Sequence, residues 1–486
     1  MSADALIDLL QIIFLTVTTV VVMVTAGFKR DHGLINALTQ AGLIGSLLIF
    51  VFIKPITPLQ VTPLLLIDEY SLFFSALCII AGIAVTALAY PYFERHNEKN
   101  EEFYILLLLG VIGGVVLSSS SHFASLFIGM EMIGISLYAM LAYPVHSNKV
   151  AKYPLEAAIK YLVMAGVAVG VLLFGMALIY VATGSLSFDQ LALPADATQA
   201  DQLYVLIGFM MVVAGIAFKL SLFPFHMWTP DVYEGAPVPV TTFLSTLSKA
   251  AMAAAALRLL IAAEAFDYPQ LTVAMSLLAA ASMIFGNLLA LMQSSVKRML
   301  AYSSIAHMGY LLVVVIAAAA VPGNLSAESM TYYMTAYFLM SIASFGVVSA
   351  LSNSGKEMDS ISEYQGLFWR NTWLGTVMAL TLLSLAGIPL TAGFIGKFYI
   401  FTTGVEGQLW FLLAMLILGS AIGLYYYLRL IYVMMLPVRD DLKDDPAARL
   451  PMGANLTLAA MIAAIIYLGV YPTQFIETLQ SLAGAF

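Results

Sequence analysis

Apolar residues in this chain come in long blocks separated by short polar stretches. A helix of about 20 apolar residues spans the hydrocarbon core of a bilayer. That length predicts about fourteen spans, near 5–28, 34–53, 69–90, 103–120, 122–142, 155–182, 203–223, 238–262, 270–292, 296–319, 328–352, 372–402, 408–436 and 453–472. The stretch Val61 to Ile67 is too short to cross and reads as a small extramembrane strand. The first residues carry Asp4 and Asp8 where a removable signal would carry bases, so the first block is expected to stay as a span. The fold class is therefore an all-α polytopic membrane protein.

Two of the blocks are interrupted. Pro224 and the polar run through His226 and Asp231 break the seventh span, and Gly387-Ile388-Pro389 through Gly393 breaks the twelfth. Spans 4–8 and 9–13 are each five helices long with the break in fourth place. Five is odd, so the second set is expected to lie inverted relative to the first. Paired interruptions in inverted halves mark transport pathways. The predicted organisation is an N-terminal three-helix segment (1–102), a first five-helix repeat (103–262), a second inverted repeat (263–437) and a C-terminal helix (438–486). Gly110 with Gly114, and Gly166 with Gly170, have the GxxxG spacing of close helix packing.

Charge adds orientation. Only 10% of the 486 residues are charged and 62% are hydrophobic. Lys29, Arg30, Arg95, Lys99, Lys149, Lys152, Lys297, Arg298, Lys356, Arg370, Arg439, Lys443 and Arg449 fall in alternate loops, while the opposite loops carry little beyond Lys54. The basic side is cytoplasmic by the positive-inside rule, which puts both termini in the periplasm of a bacterial inner membrane. The single cysteine, Cys78, excludes a disulfide framework and a Cys-rich metal site. No phosphate-binding glycine loop or paired metal-ligand histidines appear. The few exposed bases leave no surface for nucleic acid.

The candidate chemistry lies in charges inside the spans: Lys160, Lys219, Lys249 and Lys397, with Glu131 as the acid. A Lys at bilayer depth costs roughly 3 kcal/mol, so four must be paired, hydrated or partly neutral. Desolvated amines titrate nearer neutrality whereas guanidinium stays charged, so an all-Lys set favours proton handling over structural pairing. Glu131, between Gly129 and Gly134, is expected to partner Lys219. Glu156 and Lys160 share a helix face, and Lys249 follows Ser245 and Thr246 by one turn. His226, in the first break, reads as a proton relay. His307 reads either as a water-linked relay or as a packing residue. Arg258 and Arg429 read as interfacial anchors, His32, His96, His122 and His146 as surface residues, and Tyr425 to Tyr427 as a membrane belt or helix contact.

Three stretches, GFMMVVAGIAFKLSLFPFHMWTPDVYEGAPVPVTTFLSTLSK, NLLALMQSSVKRMLAYSSIAHMGYLL and LSLAGIPLTAGFIGKFYIF, together resemble the N-type membrane subunits of bacterial respiratory complex I, the proton-translocating NADH:quinone oxidoreductase. The resemblance spans essentially the whole chain. It implies a fourteen-helix antiporter-like fold and a proton path through Glu131, Lys219, Lys249 and Lys397, supported by Lys160, His226 and His307. It also implies an obligate hetero-oligomer in which subunits K and M, with A and J toward the quinone, are the neighbours. No cofactor is expected in this chain; FMN and iron–sulfur clusters are expected in partner subunits. The alternatives are a large subunit of a multisubunit cation/proton antiporter or of a related membrane hydrogenase, and a scaffold whose buried charges only fix helix register.

Overall fold

The computed structural model describes residues 7, 9–53, 58–96, 101–143, 153–193, 197–320, 325–352, 357–442 and 450–483. Asp4, Asp8, Lys54, Lys99, His146, Lys149, Lys152, Lys356, Lys443 and Arg449 lie outside the described residues. The helices are α1 (Leu10–Phe28), α2 (His32–Ile53), α3 (Glu69–His96), α4 (Glu101–Ser118), α5 (Phe123–Ala142), α6 (Pro154–Thr183), α7 (Gln199–Lys219), α8 (Trp228–Gly235) and α9 (Val238–Ala262). They continue with α10 (Pro269–Leu291), α11 (Val296–Ala317), α12 (Leu325–Leu351), α13 (Thr372–Ala386), α14 (Ala392–Glu406), α15 (Trp410–Met435), α16 (Met452–Val470) and α17 (Thr473–Ala483). Among the described residues, thirteen helices are long and apolar enough to cross a membrane. The half-length α13 and α14 together fill the remaining predicted block, so the chain is a multi-pass membrane protein.

Helix ends follow local chemistry. Pro154 opens α6, and Gly184, at φ 72°, closes it by donating its N–H to the Tyr180 carbonyl. Thr198 and Asp201 form a capping box at the start of α7. The Ser295 hydroxyl accepts from the Arg298 amide at the start of α11. His122, expected as a surface residue, caps α5 instead: its Nδ1 accepts the Ala124 amide at 3.0 Å.

Helices α9, α11 and α12 form the interior, with α12 buried from Ser329 to its end, whereas α1, α2 and α6 present apolar faces outward. Polar residues survive inside α12 because its threonine hydroxyls return to their own helix: Thr331 to Ala327 O and Thr335 to Thr331 O. A Cβ on Gly110 would sit 2.6 Å from the Phe243 ring, and one on Gly114 would sit 2.9 Å from Cys78 Sγ, so this pair does let helices pack closely. Gly166 and Gly170 differ: among the described residues nothing lies within 4 Å of either Cβ position, so their spacing serves no close contact there.

The short strand becomes a hairpin, β1 (Leu59–Thr62) against β2 (Leu65–Ile67). Leu65 bridges on to Ser120, which ties the hairpin to the turn between α4 and α5, and His122 in that turn bridges to Ser187 after α6. Just past β2, Asp68 meets Arg258 of α9 at 2.8 Å, both groups buried. Arg258 is thus a buried ion-pair residue and not an interfacial anchor. Arg429 does hold a helix end, donating to the Leu291 carbonyl at 3.2 Å.

Candidate functional site

The first break is built so that its backbone is satisfied without the lysine. The last-turn carbonyls of α7 accept from amides that follow the turn: Leu220 N to Ile216 O at 2.9 Å and Leu222 N to Ala217 O at 2.8 Å. The Phe218 carbonyl accepts the Ser221 amide at 3.0 Å and the Trp228 indole N–H at 3.1 Å. Ser221 turns the chain with φ 64°. The Phe223 amide finds the Ser282 hydroxyl at 2.9 Å. Freed polar groups at membrane depth need partners of this kind.

Lys219 is left with its ammonium unused by the turn. It is 4% exposed, lies 5.7 Å from the centroid of the Tyr161 ring and packs over Gly134, where a Cβ would sit 3.2 Å from Nζ. Gly134 is three residues past Glu131 on α5, so the slot it opens sets the ammonium beside the acid. Glu131 acts on Lys219 through space, but no contact ion pair joins them among the described residues, and Glu131 Oε1 is buried without a hydrogen-bond partner. The expected pair is therefore close but not in contact. His226 is buried and stacks on Phe223 at 5.2 Å between centroids, 6.4 Å from the Tyr302 ring. Its Nδ1 has no partner, and no hydrogen bond joins it to Lys219 among the described residues.

Lys160 is not buried. Its side chain is 41% exposed and makes ion pairs at 2.7 Å with both Glu156 and Asp231. Arg298 joins Asp231 at 2.8 Å and Glu234 at 2.9 Å, and together these groups line a cavity of about 210 Å³ on the basic side. One buried lysine was missed. Lys297, placed by its neighbours in a basic loop, is fully buried and meets Glu357 at 2.6 Å and the Ala236 carbonyl at 2.8 Å; Tyr92 donates to the other Glu357 oxygen. Hydropathy places a charge near a helix start in a loop, and nothing local revealed that Glu357 folds over it.

In the middle of the molecule, Lys249 is 1% exposed. Its hydrogen-bond partner is Ser304 of α11, and the Tyr233 ring lies 5.9 Å away. The hydroxyls of Ser245 and Thr246 return instead to the Thr242 carbonyl, as such groups do inside helices. Ser304 continues to Tyr337 OH at 2.5 Å. His307, one turn on, is held at both nitrogens: Nδ1 to Tyr333 OH at 2.6 Å and Nε2 to Tyr427 OH at 3.2 Å. Lys249 and Lys397 are the charges that act on it. Tyr427 also bonds Ser303, and Tyr426 reaches Asn287 at 3.0 Å. These two tyrosines are interior, whereas Tyr425 is exposed, so the tyrosine run is one outward ring followed by two buried hydroxyls. Tyr333 and Tyr337, four apart on α12, carried a readable signal as an (i, i+4) pair. Identity alone did not separate Tyr427 from Tyr425.

At the second break Gly387, at φ 85°, ends α13, and Leu390 turns the chain at φ 71°. The Ser384 hydroxyl accepts the Gly393 amide at 3.1 Å. Lys397, from the first turns of α14, reaches back to the Ala386 carbonyl at 3.0 Å, with the Tyr310 ring 5.3 Å away. A cation is favourable at a helix C-terminus. Lys219 precedes its break in sequence and Lys397 follows its own, yet both ammonium groups sit at the C-terminal end of the helix before the break. Among the described residues no group of three or more His, Cys, Asp or Glu could hold a metal ion.

Residues 120–423 match the family model described as NADH:quinone oxidoreductase/Mrp antiporter, transmembrane. The chain is 45% identical over 479 residues to the NADH-quinone oxidoreductase subunit N of Methylococcus capsulatus, covering 98% of this chain and 95% of that protein. It superposes on a chain of respiratory complex I from Thermus thermophilus with TM-score 0.82 and 29% identity, covering 96% of this chain and 99% of that one. A chain of the Mrp complex from Dietzia sp. matches the fold with TM-score 0.84 at 19% identity, covering 100% and 97%.

Proposed function

The chain belongs to the NADH:quinone oxidoreductase/Mrp antiporter membrane family, and on that premise we propose that it carries protons from cytoplasm to periplasm through Glu131, Lys219, Lys249, His307 and Lys397. It is a proton-translocating, antiporter-like membrane subunit of an NADH:quinone oxidoreductase complex. The redox chemistry lies with partner subunits, which supply NADH oxidation and quinone reduction. The units are 103–262 and its inverted counterpart 263–437, flanked by 1–102 and 438–486. Both termini face the periplasm, subunits K and M are the membrane neighbours, and A and J lie toward the quinone.

One observation carries the route: three lysine side chains at membrane depth are each held in a different way, and His307 lies under the field of two of them. Because Glu131 and Lys219 interact across a gap, a small displacement of either helix changes how tightly Lys219 holds its proton. Quinone chemistry elsewhere supplies that displacement. A proton released from Lys219 passes to Lys249, crosses the hydroxyl and imidazole groups of α11 and α12, and reaches Lys397 for release. Moving one charge against 100 mV costs about 2.3 kcal/mol. A one-unit change in proton affinity corresponds to about 1.4 kcal/mol, so a modest swing suffices. Lys160 and His226 belong at the cytoplasmic approach to Lys219.

Replacing Lys219 by Ala in the assembled complex tests the reading. Coupled quinone reduction and proton pumping should fall together while NADH oxidation by an artificial acceptor persists. Full pumping with normal turnover would remove Lys219 from the route.

A further inference from the structure

Between Lys249 and Lys397 the described groups are hydroxyls and one imidazole, and one hydroxyl belongs to a helix outside the interior core. Tyr427 stands on α15, bonds Ser303 on one side and reaches His307 Nε2 at 3.2 Å on the other. Ser303 neighbours Ser304, which holds Lys249. On the far side of the imidazole, Tyr333 OH meets Nδ1 at 2.6 Å, and the Tyr333 ring lies 3.0 Å from the Cβ position of Gly396, the residue before Lys397. Two phenols thus flank one ring at its two nitrogens: Tyr427 is joined to Ser303, next in sequence to the serine that holds Lys249, and Tyr333 packs its ring edge beside Gly396, next in sequence to Lys397.

The geometry points to Tyr427 as a relay residue whose hydroxyl passes the proton between the Ser303 side and His307 Nε2, with Tyr333 as the acceptor at Nδ1. The proposal rests on the proton route proposed above and adds its connecting atoms. In the starting tautomer His307 donates from Nδ1 to Tyr333 and accepts at Nε2 from Tyr427. Tyr427 gives its O–H proton to Nε2 while taking one from the Ser303 side, so the phenol stays neutral. The imidazolium then releases the Nδ1 proton to Tyr333, which passes its own hydroxyl proton on toward Lys397. One proton enters, one leaves, and no electron moves. The ring ends in the opposite tautomer with both hydroxyls reversed, so a second proton in the same direction waits for a reset. Such a relay passes one proton per cycle and blocks a continuous leak.

Asn287 holds the neighbouring geometry. Its side-chain N–H donates to Tyr310 OH at 2.9 Å, and its oxygen accepts from Tyr426 at 3.0 Å. Tyr310 is the ring beside Lys397. The two adjacent tyrosines of α15 therefore support the two ends of the second half of the route.

The test is Tyr427→Phe in the assembled complex, with native-gel assembly confirmed and Tyr425→Phe as the exposed control. Positioned proton transfer is typically worth 10²-fold or more, and a water filling the vacated hydroxyl position returns part of it, so coupled pumping should fall about tenfold. The solvent deuterium isotope effect on coupled turnover should change as well, which loss of packing alone would not produce. His307→Leu should lower pumping similarly, and the double variant should be no worse than the worse single, as for residues in one route. Unchanged pumping and isotope effect in Tyr427→Phe, or additive losses in the double variant, would overturn the relay. If Lys219→Ala also pumps normally, the underlying route fails; if only Tyr427→Phe is silent, the route stands and the relay alone is lost.

Discussion

The two helix breaks solve one problem in different ways. At the first, α7 is capped by the Ser221 amide and the Trp228 indole, and Lys219 is spared any backbone duty. At the second, Lys397 itself holds the Ala386 carbonyl that ends α13. Lys219 is accordingly free to answer Glu131 through space, whereas Lys397 is tied to a helix-end carbonyl. On the route proposed above, the two lysines would take different parts: a responsive donor at the start and a fixed station near its end.

The largest effect that separates the breaks is expected at Gly393. A Cβ there would lie 1.9 Å from the backbone oxygen of Ser384, which cannot move without distorting the end of α13, so α14 would be pushed off its seat. Gly393→Ala should leave no assembled subunit on a native gel, and normal assembly would show that the second break is looser than described. Next comes Trp228→Phe, which removes the indole donor from the Phe218 carbonyl. The cost should be about 1 kcal/mol, the net value of one hydrogen bond, read as a lower thermal-inactivation midpoint with the pumping ratio kept. A large fall in pumping without loss of stability would mean the cap belongs to the route. The smallest effect is expected at Gly134. A Cβ there meets only side-chain ends, Lys219 Nζ and Tyr138 OH, each at 3.2 Å. Gly134→Ala should assemble normally and slow coupled turnover about twofold, equivalent to ~0.4 kcal/mol, by displacing the ammonium from its place beside Glu131. Failure to assemble would show that the slot carries packing and not charge placement.

Much of the fold was legible because hydropathy blocks of membrane length permit few alternatives. Both breaks, the hairpin position and the burial of Lys219 and Lys249 could be read from residue type and spacing. Partnerships across helices could not. Lys297 looked like a loop base and is fully buried against Glu357; Arg258 looked like an anchor and pairs with Asp68; Lys160 looked interior and sits in a half-exposed ion network. In each case the deciding group is distant in sequence, and a charge near a span end has the same local pattern whether it faces solvent or a partner. The tyrosines failed for a related reason. Tyr425, Tyr426 and Tyr427 are chemically identical, and only helix rotation makes the last two interior.

The central claim is that the buried ammonium groups form one working proton route, and Lys249 tests it most directly because it is 1% exposed and bonded to the relay serine Ser304. The measurement is NADH-driven proton uptake and quinone reduction by assembled complex carrying Lys249→Met, a substitution of similar length without the charge. Both should fall together by about tenfold or more, as expected for removal of a positioned proton carrier. Proton uptake and quinone reduction at wild-type rates in a fully assembled Lys249→Met complex would contradict the account.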